Sequence, residues 1–181
     1  MARQRIIRAG NQAGKTLMAC VEVARAVTGQ DPKRRYPKKN GVCYIVSKDE
    51  RSIGEVIWKK MGRAGEFSII RDEMTREWRM FNPILDAARK SETKPAPPLL
   101  PPRMIEAIEW MSVKSQIPKL VKLINGWEIY FFTSNAAPPQ GTQVDLVLFD
   151  EEITRNAWYP EAMARLMKRR GRFIWSATPQ A

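Results

Sequence analysis

The stretch Asp145 to Glu152 reads DLVLFDEE, an apolar run closed by consecutive carboxylates. Four apolar residues in a row, Leu146 to Phe149, lack the alternation of a half-exposed strand and mark one buried on both faces. In parallel α/β sheets such a strand delivers its last residues to the carboxyl edge, where ligands bind. Asp150 and Glu151 are therefore candidate site groups. A strand ending in acids is common, however, and the reading needs a partner elsewhere in the chain.

That partner is AGNQAGKT, Ala9 to Thr16. Gln4 to Arg8 (QRIIR) reads as a short strand leading into it, and Lys15 to Thr28 as a helix leading out, with Leu17, Val21, Ala24 and Val27 on one face and Gly29 as the stop. A glycine-containing loop between strand and helix turns successive backbone N–H groups and the helix N-terminus toward a phosphate chain. In that geometry Gly10, Asn11, Gln12, Ala13, Gly14, Lys15 and Thr16 bind nucleotide. Lys15 reaches the terminal phosphates and the Thr16 hydroxyl holds the metal. The usual pattern begins with glycine; here that place is Ala9, with Gly10 one position on. Asp150 then holds Mg²⁺, Glu151 polarises the attacking water, and Glu152 is solvated or supporting. The pair implies a nucleotide triphosphatase using ATP and Mg²⁺. Ser176 and Thr178, in Ser176-Ala-Thr-Pro179 at the tip of a later strand, are placed to report on the terminal phosphate; a proline-punctuated turn explains them equally simply.

Bulk properties narrow the rest. The 181 residues fit one domain. No apolar run approaches the roughly 18 residues of a membrane span, and MARQRIIRAG has no signal-peptide core. The absence of histidine removes imidazole acid–base chemistry and imidazole metal ligation, leaving carboxylates as the catalytic candidates near neutral pH. Cys20 and Cys43 sit in apolar contexts and read as reduced core residues of a cytosolic protein. Thirty-one Lys and Arg against 19 Asp and Glu give +12, an excess that favours a polyanionic partner. Two basic clusters stand out, Lys33 to Lys39 (KRRYPKK) and Lys168 to Arg172 (KRRGR). The second is equally read as cationic helix C-capping closed by Gly171.

Along the chain, Gly41 to Ser47 reads as a buried strand, and Asp49 as the N-cap of a helix with Ile53, Val56, Ile57 and Met61 in a stripe. Glu66 to Lys90 is helix-leaning without clean periodicity. Lys94 to Pro102 holds five prolines in nine residues and reads as an extended surface loop. Lys119–Ile124 and Trp127–Thr133 flank Asn125-Gly126, a hairpin signal. Ala157 to Arg170 reads as a helix with Trp158, Ala162, Met163, Leu166 and Met167 facing inward. Arg172 to Ser176 closes the pattern as a strand. The expectation is an α/β fold: a P-loop nucleotide triphosphatase of the additional-strand, catalytic-glutamate type, with a mostly parallel sheet flanked by helices, formed by residues 1–181 as one domain.

The phosphate loop RIIRAGNQAGKT, the run from Gly126 through FFTSN and Gln140-Gly141 into DLVLFDEE, and Ser176-Ala-Thr-Pro resemble the ATPase core of the large terminase subunit of tailed bacteriophages. The resemblance implies ATP hydrolysis that moves double-stranded DNA into a procapsid. It also implies a portal protein and a small terminase subunit as partners, a ring of subunits when assembled, and the cytoplasm of the infected bacterium as the location. Superfamily 2 helicases share part of the set, and a helicase-like translocase is the alternative. A nucleic-acid-binding module with a degenerate nucleotide site is a third reading, against which intact Lys15, Thr16, Asp150 and Glu151 argue. Two parts of the family pattern are not matched: an adenine-contacting segment before the loop and a C-terminal nuclease domain, so the chain reads as an excised ATPase domain. Where some relatives carry an arginine that completes a neighbour's site, this chain has Gln140; Arg155 and Arg165 are the candidates nearest the carboxylates in sequence.

Overall fold

A computed structural model describes residues 3–8 and 14–178. The elements in chain order are β1 (Arg3–Arg8), α1 (Lys15–Val27), β2 (Val42–Ser47), α2 (Ser52–Trp58, π-helical, continuing as Lys59–Gly62), β3 (Ser68–Arg71), β4 (Trp78–Met80), β5 (Lys94–Pro95), β6 (Ile105–Ser112), β7 (Ile117–Leu123), β8 (Glu128–Thr133), β9 (Leu146–Asp150), α3 (Trp158–Arg169) and β10 (Arg172–Ala177). The main sheet has the order β1-β10-β9-β2-β8-β7-β6. Strands β1, β10, β9, β2 and β8 run parallel, and β7 and β6 extend the sheet antiparallel. One strand, β10, stands between β1, which precedes α1 in the chain, and β9, which carries Asp150. That interposed strand is the additional strand expected from the sequence.

The uninterrupted apolar strands arise because both faces are covered. On one face Cys43, Ile45, Leu146, Leu148 and Ile174 pack with Ala19, Cys20 and Val23 of α1 and Ile53, Ile57 and Met61 of α2. On the other, Tyr44, Val46, Val147, Phe149 and Phe173 pack with Trp158, Ala162 and Leu166 of α3. Alternate residues of each strand thus serve opposite layers. Cys20 and Cys43 are free and fully buried, and burial pushes both thiols well above the ordinary range. Asp49 accepts the Ser52 N–H at 2.8 Å, the expected N-cap bond. The hairpin at Asn125-Gly126 forms as expected between β7 and β8.

Several expectations are corrected. Glu66 to Lys90 is not an α-helix: β3 and β4, with β5 beyond them, form a separate antiparallel sheet, and the helical part is a 3-10 helix at Ala87–Glu92. The reason lies in its turns. Asp72 Oδ1 accepts the N–H groups of Met74 and Thr75, and Asn82 Oδ1 those of Ile84 and Leu85, so side chains capture backbone donors that a helix would need. Arg79 closes this unit by donating to both carboxylate oxygens of Asp86 at 2.7 Å and to Asp72 at 3.0 Å. The proline-rich segment is not wholly a surface loop: Lys94–Pro95 pair with β3 at its edge, where proline is tolerated, and Leu100 is fully buried. Strand β6 went unread. The buried face of α1 centres on Ala19, Cys20 and Val23, while Leu17 and Val21 are only half-buried. Val56 and Met167, expected inside, are exposed.

The end of α3 also differs from expectation. Arg170, not Gly171, takes the left-handed position, at φ 53°. Its N–H donates to Met167 O and that of Gly171 to Leu166 O, closing the last turn. Gly171 is there because nothing larger fits: a Cβ would lie 2.5 Å from Leu166 Cδ2 and 2.8 Å from Val144 O. Gly171→Ala is therefore expected to destabilise by about 1–3 kcal/mol through overpacking. Arg170→Gly should be neutral or stabilising by up to about 1 kcal/mol, since glycine adopts positive φ without steric cost. Denaturant melts of both variants check the pair.

Candidate nucleotide site

Helix α1 opens on Gly14 at φ 75°, which contributes no side-chain cap, and its first turn holds no acidic residue. The N-terminal N–H groups and the positive end of the helix dipole are thus presented without a side chain of their own to neutralise them. Lys15, the first helical residue, is 8% exposed. Gly10, Asn11, Gln12 and Ala13, the rest of the expected cradle, lie outside the described residues.

Register then gathers the opposite wall. Ile7 of β1 pairs with Ser176 of β10, Ser176 with Asp150 of β9, Asp150 with Ser47 of β2, and Ser47 with Thr133 of β8. Four adjacent strands therefore end at one level in hydroxyls and one carboxylate. Asp150, 2% exposed, accepts a hydrogen bond from the Thr16 hydroxyl at 3.0 Å. Two residues that the sequence analysis brought together, 134 positions apart, are in contact. Burial pushes the Asp150 carboxyl up to about 6, and the negative charge of Glu151 acts in the same direction; the hydroxyls of Thr16 and Ser176 and the charge of Lys15 pull it down. Ser176 is fully buried, and its Oγ has no hydrogen-bond partner of good geometry among the described residues.

Glu151 is exposed, at φ 64°. A left-handed conformation at a residue with a Cβ costs on the order of 1 kcal/mol, and here it turns the chain sharply out of β9. The turn is held from β10: the Glu151 N–H donates to Ser176 O at 2.6 Å, and the Trp175 indole Nε1–H donates to Glu151 O at 2.8 Å. The loop is tied again at Thr154, whose N–H donates to Ser134 Oγ at 3.2 Å, with the two hydroxyls 3.0 Å apart. Neither Trp175 nor Ser134 was singled out from sequence. A Trp one position before Ser176 gave no signal of its own, since it also fits the aromatic packing of that strand. Glu152 is exposed and Thr178 half-buried. Arg155 is exposed on the same loop. Arg165 does not accompany the carboxylates: it pairs with Glu161 and donates to Thr142 O at 2.8 Å, toward the amino edge of the sheet.

The two basic clusters meet at that amino edge. Arg169 donates to Asp145 Oδ2 at 2.8 Å and reaches Asn40 O at 3.4 Å. The Tyr36 ring has the Arg35 guanidinium 5.5 Å and the Arg172 guanidinium 5.8 Å from its centroid. Arg35 is bound to Asp31 and Glu22, so it is a structural member of the cluster. Lys33, Arg34, Lys38, Lys39, Lys168 and Arg170 remain exposed around these anchors. Strands of this length put the patch roughly 20 Å from the Thr16–Asp150 edge.

This sheet order, with Thr16 against Asp150, prompts comparison with known proteins. The family described as "Terminase large subunit, T4likevirus-type, N-terminal" matches residues 6–181. The chain belongs to this family. Among solved structures, the large terminase of HK97 bacteriophage is similar over 99% of this chain and 30% of its own length, at 12% identity and TM-score 0.55. The large terminase ATPase domain of Thermus phage P74-26 is similar over 99% of this chain and 60% of its own, at 14% identity and TM-score 0.48. No curated protein sequence matches significantly. The chain thus spans under a third of the HK97 terminase, whose likeness shows a shared fold.

The raised pKa of Asp150 makes a stability prediction for this chain in buffer without divalent cations. With a folded value of about 6 against 3.8 when unfolded, the folded state holds the extra proton between these pH values. Stability should therefore fall as pH rises from about 4 to about 6 and stay lower above it. Asp150→Asn is expected to be more stable than wild type at pH 7, by on the order of 2 kcal/mol, and to lose that advantage near pH 4. Denaturant melts across pH 4–8 measure it, and an unchanged difference across that range would contradict the assignment.

Proposed function

We propose that this chain is the ATPase portion of a viral large terminase, which hydrolyses ATP with Mg²⁺ to drive double-stranded DNA into a procapsid. The observation that carries the reading is the Thr16 hydroxyl 3.0 Å from the buried Asp150 carboxylate. A hydroxyl and a carboxylate are hard oxygen donors suited to Mg²⁺, which binds through few protein groups plus substrate phosphates. The raised pKa of Asp150 adds support, because a nearby cation would lower it.

In this reading Lys15 neutralises the terminal phosphates, Thr16 and Asp150 hold the metal, and Glu151 polarises the attacking water. Bound Mg²⁺ would supply charge stabilisation to the transferring phosphoryl group. Ser176, on the strand between loop and carboxylate, and Thr178 after it couple the state of the nucleotide to β10. Gly10 to Gly14 would supply the backbone donors. The partners are double-stranded DNA, a portal protein, a small terminase subunit and further copies of the chain in a ring, in the host cytoplasm. No described helix is long and apolar enough to cross a membrane. The helicase-like alternative loses its ground with membership of the terminase family.

Steady-state ATP hydrolysis tests the reading. Lys15→Ala should weaken nucleotide binding and remove turnover. Glu151→Gln should leave binding near normal and lower turnover by about 10² or more, since it removes only the water-polarising group. Wild-type turnover in Glu151→Gln would sink the catalytic assignment.

DNA is assigned to the joined basic patch at the amino edge, because phosphate contacts need exposed cations close together. Binding should be independent of sequence and weaken steeply with salt. If all six exposed cations contact phosphates, log K against log salt should have a slope of about −5. Replacing Lys33, Arg34, Lys38 and Lys39, or Lys168 and Arg170, by glutamine should each flatten that slope and leave basal ATP hydrolysis unchanged. A salt-independent affinity would overturn the assignment.

A further inference from the structure

The residue assigned to activate water stands in an unfavourable backbone conformation, and both peptide planes flanking its Cα are held by one neighbouring strand. On the amino side, the Glu151 N–H donates to Ser176 O at 2.6 Å. On the carboxyl side, Glu151 O accepts the Trp175 indole N–H at 2.8 Å. Fixing both planes fixes φ and ψ and with them the direction of the Cα–Cβ bond, which aims the carboxylate. Alternation along β10 makes this possible: Ser176 faces the layer that holds Asp150 and α1, while Trp175 faces the α3 layer, over which the chain turns after Asp150.

We propose that Trp175 is a positioning residue for Glu151, holding the glutamate backbone in its left-handed conformation through the indole N–H. This rests on the reading of Glu151 as the water-activating group. Packing does not account for the nitrogen. The Trp175 ring lies 5.8 Å from Phe149, 6.2 Å from Phe173 and 6.4 Å from Tyr159, centroid to centroid. A phenyl ring would supply such contacts; it would not supply a donor. Among the described residues Glu151 O accepts from the Trp175 indole, so loss of that N–H frees one plane while the other stays tied to Ser176 O. The same strand carries Ser176 beside Asp150, so a shift of β10 moves the metal-binding edge and the water-activating group together.

Trp175→Phe, and the isostere of tryptophan with sulfur in place of the indole N–H placed at position 175 alone, remove the donor while keeping a ring. Single-turnover ATP hydrolysis, binding of a fluorescent ATP analogue and thermal midpoint are measured on the full chain, each also in the Glu151→Gln background. Displacement of a reacting group by about 1 Å costs roughly 10²-fold in rate. The expected result is a hydrolysis rate about ten- to a hundredfold lower, with analogue affinity within about twofold of wild type, and almost no further loss when Glu151 is already Gln. If Trp175→Phe proves unstable, the sulfur isostere decides. A rate within about twofold of wild type in the isostere overturns the proposal, as does an equal further loss in the Glu151→Gln background, which would place the role elsewhere. If Glu151→Gln alone retained wild-type hydrolysis, the underlying reading of Glu151 would fall; normal hydrolysis in the isostere with an inactive Glu151→Gln would remove only the role of Trp175.

Discussion

Burying the Asp150 carboxylate at the end of an apolar strand is unfavourable unless donors or cations surround it, and the neighbouring elements are placed to supply them. Thr16 donates from the first turn of α1, Lys15 contributes positive charge, and Ser176 lies opposite in register. Lys15 and Thr16 open α1, Asp150 ends β9 and Ser176 lies in β10, three distant parts of the chain. The parallel sheet brings them together because parallel strands put all their carboxyl ends on one edge. The proximity of Glu151 adds to the electrostatic load rather than relieving it.

The sheet order determines how the parts communicate. With β10 between β1 and β9, the strand bearing Ser176 touches the strand that leads into the phosphate loop and the strand that ends in Asp150. The β9 strand has carboxylates at both extremities. Asp145, just before it, accepts from Arg169 and from the Val42 N–H, while Asp150 accepts from Thr16. A single fully buried strand thus links the basic edge to the Thr16–Asp150 edge. Close packing on both faces leaves such a strand little freedom to deform internally.

Most of this architecture was legible because parallel strands and the turns around them leave strong marks. Continuous apolar runs located β2 and β9, Asn-Gly located the β7–β8 hairpin, and Gly-Lys-Thr before a helical pattern located α1. The failures have physical causes of their own. Residues 66–104 fold through two- to four-residue strands and side-chain-capped turns, which carry no periodicity; Asp72 and Asn82 were the readable signals, as turn formers. Helix α2 is π-helical over Ser52–Trp58, which rotates its apolar stripe and leaves Val56 outward. At the end of α3 the glycine was read for its conformational freedom, when its role is to let the helix approach Val144 and Asp145. In the site, residue types were legible but not backbone relationships. Thr16 with Asp150 followed from the motifs; the indole holding the Glu151 carbonyl could not, since it depends on where β10 passes.

The pairing of β1 with β10 has a consequence for how this chain is made. Arg3 to Arg8 lie beside Arg172 to Ala177, so the strand that introduces the phosphate loop has no neighbour until the last strand of the core has emerged from the ribosome. During synthesis α1, β2, α2 and the antiparallel strands can find one another first, while β1 waits with an unsatisfied edge. Contacts this distant in sequence slow folding and prolong exposure to misassociation. The edge that joins Ile7, Ser176 and Asp150 is thus the last part of the described core to form.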